Sequence, residues 1–260
     1  MNLCRPKRGM IFCALVLFLT ECATPSFIPG SSATPPVILP QGTAAQTNDV
    51  IEIFAHQWWW ELNYPDQQVT TANEIHIPVG RPVELQFKAE DVTGIFWMSE
   101  LNRIIGLFPK TTTTTVIEAT QAGTFRGTCA EFCGVSPAQM SLLVIADPPD
   151  QFNAWLAQQR QIPPELTDET LRTGQQAFLG SACVYCHTVK GTNATGTLGP
   201  DLTHLMSRKT IGAGTLPNTR GNLAGWIVNA QDIKPGNKMP PMQLESDQLQ
   251  ALLAYLESLK

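Results

Sequence analysis

Cys183-Val184-Tyr185-Cys186-His187 decides how the C-terminal part of the chain is read. Two thiols three residues apart, followed at once by an imidazole, have the spacing of a covalent haem c attachment site. Both cysteines form thioethers with the vinyl groups of one haem, and the histidine reaches the iron from the same turn. A zinc or redox Cys-x-x-Cys that happens to precede a histidine is the competing reading, and downstream residues weigh against it. Gly199-Pro200-Asp201-Leu202 offers a backbone carbonyl, that of Pro200, to accept the proton on the far nitrogen of His187 and fix its tautomer. Lys234-Pro235-Gly236-Asn237-Lys238-Met239-Pro240 presents a thioether from a loop stiffened by proline and glycine. Met239 is therefore the expected distal iron ligand, with Met242 and Met206 as rivals.

The 260 residues, with seven cysteines and 43% hydrophobic content, allow two ordinary domains, each with its own core. Residues 1–21 read as an export signal: Arg5, Lys7 and Arg8 precede the apolar run Met10 to Thr20. That run is too short for a bilayer span, which takes about 20 residues. Leu19-Thr20-Glu21-Cys22 resembles a lipoprotein cleavage site that would leave Cys22 lipidated, although Glu21 stands where a small residue is usual. Ordinary cleavage near Ala23 or Ala33 is the alternative. Without residues 1–21 the chain is net acidic, which argues against nucleic acid as a partner. Residues 22–47 are rich in Pro, Ser, Thr, Ala and Gly and read as a flexible tether holding the folded part near the membrane surface.

From residue 48 the pattern changes to short alternating runs separated by turn residues, the signature of a β-sandwich occupying residues 48–161. Val83, Leu85 and Phe87 alternate with Glu84, Gln86 and Lys88. Further strands are expected at Val50–Glu61, Glu74–Val79, Thr113–Ala119, Thr124–Thr128 and Ser141–Ala146. Gln151–Gln161 reads as a closing helix with Phe152, Trp155 and Leu156 on one side, ended by Ile162-Pro163-Pro164. Residues 162–260 form the haem domain. Asp168 and Glu169 open one of its helices, and Leu249, Leu252, Leu253, Leu256 and Leu259 stripe another.

Three stretches carry a resemblance: Ala55-His56-Gln57-Trp58-Trp59-Trp60, Asn73 through Val83, and Cys129-Ala130-Glu131-Phe132-Cys133-Gly134. They resemble the periplasmic cupredoxin domain of cytochrome c oxidase subunit II. With the haem domain, the chain resembles the subunit II type that carries a fused class I cytochrome c. That implies a multi-domain fold, a Greek-key β-sandwich followed by an all-α cytochrome c domain, in which Gly174 lets two helices meet closely under Tyr255. It also implies haem attachment and residence outside the cytoplasm.

The family's copper loop, Cys-x-Glu-x-Cys-Gly-x-x-His-x-x-Met, and an upstream Asp-Val-x-His hold the dinuclear CuA site. Cys129, Glu131, Cys133 and Met140 are kept, but Pro137 and Gly94 stand where the two histidines belong. The family's two transmembrane helices have no counterpart in the tether. The site reads as a retired copper centre, with a mononuclear copper on Cys129, Cys133 and Met140, a disulfide, or free thiols as its possible remnants. The tryptophan run matches the family's electron-entry strip, or else is core and rim packing, and His204 reads as a hydrogen-bonded surface residue. The expected function is single-electron transfer through haem c to redox protein partners. Alternatives are a working electron-entry subunit docked on a haem-copper subunit I, and a structural or assembly module.

Overall fold

The computed structural model describes residues 49–131 and 140–260, Glu131 by its backbone alone. Cys22, the tether, Cys133 and Pro137 lie outside the described residues.

Strict in–out alternation along Val50–His56 (β1) and Val83–Ala89 (β5) buries one face of each strand, as the sequence pattern requires. Eight further strands complete the sandwich: Trp59–Tyr64 (β2), Val69–Ala72 (β3), Glu74–Pro78 (β4), Gly94–Met98 (β6), Arg103–Leu107 (β7), Thr112–Ile117 (β8), Gly123–Glu131 (β9) and Ser141–Asp147 (β10). One sheet runs β3-β2-β1-β5-β8 and the other β4-β10-β9-β6-β7. β1 pairs with β5 and β4 with β10 in parallel, so the connections cross between sheets and do not simply meander. Between the sheets, Trp60 meets Phe87 and Phe96 edge-on, all three almost fully buried.

The expected single strand Val50–Glu61 is two strands. The chain turns at Gln57–Trp58 and returns as β2, pairing His56 with Trp59. Continuing the phase of Ile51, Ile53 and Ala55 would point Glu61 inward; the turn resets it so that Trp60, Leu62 and Tyr64 face the core. The unforeseen strands β6 and β7 pair Trp97 with Ile104, both exposed, while Arg103 is buried. Phe96, Met98, Ile105 and Leu107 still face the core, so both faces of the hairpin carry apolar residues and the alternation by which strands are recognised is blurred.

Pro149–Gln159 (α1) opens on a proline and packs Phe152 and Leu156 on the sandwich, while Trp155 stacks on His76 at 4.1 Å. The haem region holds Glu169–Leu179 (α2), Cys183–Cys186 (α3), a short pair Thr210–Ile211 (β11) and Leu216–Pro217 (β12), Arg220–Ile233 (α4) and Ser246–Ser258 (α5). Asp168 caps α2 by accepting from the Leu171 N–H at 3.1 Å, and Glu245 with Gln248 forms a capping box on α5. A Cβ on Gly174 would lie 2.0 Å from the Ala251 carbonyl oxygen and 2.7 Å from Tyr255 Cβ, so only glycine permits this crossing of α2 and α5. Phe178 and Tyr255 fill the same contact, their rings 6.0 Å apart.

The two regions share polar contacts, those of Glu74 at least partly buried. Glu74 of β4 accepts from the Lys209 and Thr210 N–H groups and from Thr210 Oγ1, at 2.8 to 2.9 Å. Arg126 donates to Ser141 and to the Gly214 carbonyl. His204 is buried, contrary to the surface position expected of it. Its Nδ1 lies 2.6 Å from the Lys260 carbonyl and its Nε2 3.1 Å from the Gln161 carbonyl, partners distant in sequence and therefore invisible to a local reading. Among the described residues no helix is long and apolar enough to cross a membrane.

Candidate functional site

The single helical turn α3 fixes the residues expected to attach haem: the His187 N–H closes it on the Cys183 carbonyl at 2.9 Å, so Cys183, Cys186 and His187 leave one turn together. Both cysteines are free, and all three residues border a cavity of about 500 Å³. The His187 Nδ1 lies 2.7 Å from the Pro200 carbonyl oxygen, which can only accept; this nitrogen therefore carries the proton and leaves Nε2 its lone pair. Burial, with the nearby Arg208 charge, holds the imidazole below its usual pKa and hence neutral, while the bond to Pro200 opposes this. Gly199 allows the approach: a Cβ there would stand 2.7 Å from His187 Cε1.

Across the cavity, α4 is interrupted at Asn229, whose side chain receives the Gln231 N–H at 3.1 Å. Gln231 Nε2 then donates to the carbonyls of Asn237 (2.7 Å) and Met239 (2.9 Å), and Asn237 Oδ1 accepts from the Met239 N–H at 2.8 Å. The loop is thus fixed by its own amides. Met239 and Met242 both border the cavity, and Met206 does not.

The rest of the wall fits a haem. Phe178, Leu223, Ile227, Leu252 and Leu256 make it apolar, and its volume lies within the roughly 300–1,000 Å³ of ordinary ligand cavities. Arg208 is buried there, bonded through Nη2 to the Asp201 carbonyl and to Thr71, with its Nε buried and unpartnered. A buried guanidinium with a spare donor suits the carboxylate of a haem. Sequence reasoning missed Arg208, because one arginine in an unpatterned loop carries no signal.

It also missed the sandwich's share of the wall: His56, Gln57, Trp58, Trp59, Asn73 and Asp91 border the same cavity. Trp59 is buried and stacks on His56 at 4.6 Å, whose bond to Glu61 holds that carboxyl below the usual range. Lys234 is buried too, its Nζ donating to the carbonyls of Trp58 (2.8 Å) and Gly212 (2.9 Å). Desolvation pushes its pKa down to about 7. Since the unfolded amine titrates near 10.5, the unfolded chain binds more protons between those values, and stability rises with pH from about 7 to 10.5 by an amount on the order of a few kcal/mol. Lys234→Leu should flatten that rise in denaturant titrations; an unchanged slope would contradict the assignment.

The copper ligands implied by the resemblance are not assembled among the described residues. Gly94 lies in β6 and offers no ligating atom, Cys129 is buried and disulfide-bonded, and Met140 is fully buried. Cys133, Pro137 and the Glu131 side chain lie outside the described residues. No group of three or more His, Cys, Asp or Glu among the described residues could hold a metal ion.

Residues 67–146 match the family model "Cytochrome C oxidase subunit II, periplasmic domain", and residues 171–260 match "Cytochrome c". Cytochrome c oxidase subunit 2 of Alkalihalophilus pseudofirmus is 36% identical over 211 residues, covering 81% of this chain and 61% of that protein. The same subunit of Bacillus sp. strain PS3 is 32% identical over 228 residues, covering 81% and 62%. The chain therefore spans about three fifths of the length of these relatives. The periplasmic domain of subunit II of cytochrome oxidase of Bradyrhizobium japonicum aligns at 22% identity with a TM-score of 0.43, covering 45% of this chain and 97% of that one. The chain thus joins a domain of the cytochrome c oxidase subunit II periplasmic family to a domain of the cytochrome c family.

Proposed function

We propose that this protein is an exported electron carrier that passes single electrons through one covalent haem c, its copper centre retired. The observation that carries the reading is the convergence of Cys183, Cys186, the Pro200-bonded His187 and Met239 on one apolar cavity. Cys183 and Cys186 would hold the haem covalently, His187 Nε2 and Met239 would bind its iron, and Arg208 would pair with one of its carboxylates. The haem supplies reversible one-electron chemistry; the chain orients it, excludes water and selects the reduced iron through a thioether ligand. Retirement of the copper centre is supported by Gly94 and Pro137 at the histidine positions and by the disulfide at Cys129. The export signal, the subunit II periplasmic match and Cys22 together favour a lipid-anchored position at the outer face of the cytoplasmic membrane.

A second reading, an electron-entry subunit docked on a haem-copper subunit I, is favoured by relatives that bear the name cytochrome c oxidase subunit 2. Co-purification with such a subunit separates the two. Spectro-electrochemical titration of the whole protein should give a single one-electron haem couple. A protein with no reversible haem couple would overturn both readings and leave the structural module.

A further inference from the structure

The turn between β1 and β2 is bound to the Met239 loop by more than packing. Trp58 Nε1–H donates to the Gly236 carbonyl at 2.9 Å, and Lys234 Nζ returns a bond to the Trp58 carbonyl at 2.8 Å. Lys238, next to Met239, pairs with Asp91 at 2.7 Å. Asp91 is itself held, its Oδ1 receiving the Gln57 N–H at 2.8 Å and its carbonyl the Gln57 side-chain amide at 3.0 Å. Two segments of the sandwich side, the Gln57–Trp58 turn and the stretch at Asp91, thus end on the two flanks of one loop, Gly236 before Met239 and Lys238 beside it. The loop's own bonds to Gln231 and Asn237 fix its shape, whereas these bonds fix its position against the cavity.

We infer that the sandwich is a clamp on the distal haem ligand, with Trp58 and Asp91 as positioning residues that keep the Met239 sulfur on the iron. This rests on Met239 being that ligand. A thioether is a weak, neutral ligand, and the bond survives only if the loop is held closed; each hydrogen bond made only in the closed state multiplies the closed population. The turn that carries Trp58 then serves the haem, whatever has become of the copper loop.

Exogenous imidazole reports the open state, because it binds ferric haem only where the methionine has left. In the whole holoprotein, Trp58→Phe keeps an aromatic ring and deletes the N–H donor. Loss of one such bond, worth about 1 kcal/mol, should tighten the apparent imidazole affinity about fivefold. Asp91→Asn, a more exposed change that any fold tolerates, should tighten it about twofold. Trp155→Phe, stacked on His76 away from the loop, should leave it unchanged. The red charge-transfer band of methionine-ligated ferric haem should vanish in Met239→Leu and persist in Met242→Leu. If the band survives Met239→Leu, the ligand assignment fails and the clamp with it. If that band vanishes yet Trp58→Phe and Asp91→Asn bind imidazole like the parent, the ligand stands and the clamp alone is overturned.

Discussion

Met239→Leu should lower the midpoint potential of the haem by a substantial share of the ~0.8 V span that axial ligands command. A thioether favours the ferrous ion, and leucine leaves the position to water, hydroxide or a stray side chain, all of which favour the ferric ion. The two candidate sulfurs are separated by their surroundings. The Met239 backbone is fixed on both sides, by Asn237 Oδ1 and Gln231 Nε2, while the Met242 N–H makes a bond of 3.2 Å to the Val228 carbonyl. Met242→Leu should therefore change little beyond cavity packing. Redox titration of both variants decides the matter, and a large drop in the second with none in the first would assign the ligand to Met242.

Gly174→Leu should be among the most damaging substitutions in the haem domain although it touches no cofactor ligand. The added Cβ would stand 2.0 Å from a backbone oxygen of α5, where no rotamer offers relief, so the two helices must separate. Separation uncovers Phe178 and Tyr255, both 1% exposed, and loosens one wall of the cavity. A cost of about 3 kcal/mol or more follows, equivalent to a fall in thermal midpoint of roughly 6–12 °C for a domain pair of this size. Thermal unfolding of the holoprotein measures it. A midpoint within a degree of the parent would mean that the helices do not cross at this glycine.

What the sequence made legible was whatever rests on short spacings. The attachment turn is complete within five residues. Pro200 follows from the need of a histidine ligand for an acceptor, and its carbonyl lies 2.7 Å from His187 Nδ1. The helices α1, α2 and α5 follow from apolar periodicity and from a cap or proline at their starts. What escaped rests on pairing across long separations. β2 hid inside an apparent longer strand because the turn at Gln57–Trp58 contains neither glycine nor proline. α4 was missed because Asn229 breaks its regularity, and its apolar positions do not form a single stripe. His204 and Lys234 are buried polar groups satisfied by carbonyls far along the chain, and Arg208 reaches the distant Thr71 hydroxyl; composition cannot report such partners. The share of the sandwich in the cavity wall belongs to the same class, because Trp58 and Gly236 stand 178 residues apart.

The central proposal is that this chain carries electrons on haem c and that the copper site implied by its subunit II resemblance is retired. Metal and haem analysis of the purified, copper-supplemented whole protein, read with its optical spectrum, tests it most directly. The account predicts one covalently bound, low-spin, methionine-ligated haem c per chain, no stoichiometric copper and no mixed-valence CuA absorption. Stoichiometric copper with a CuA spectrum would contradict it and return the chain to the copper-bearing subunits.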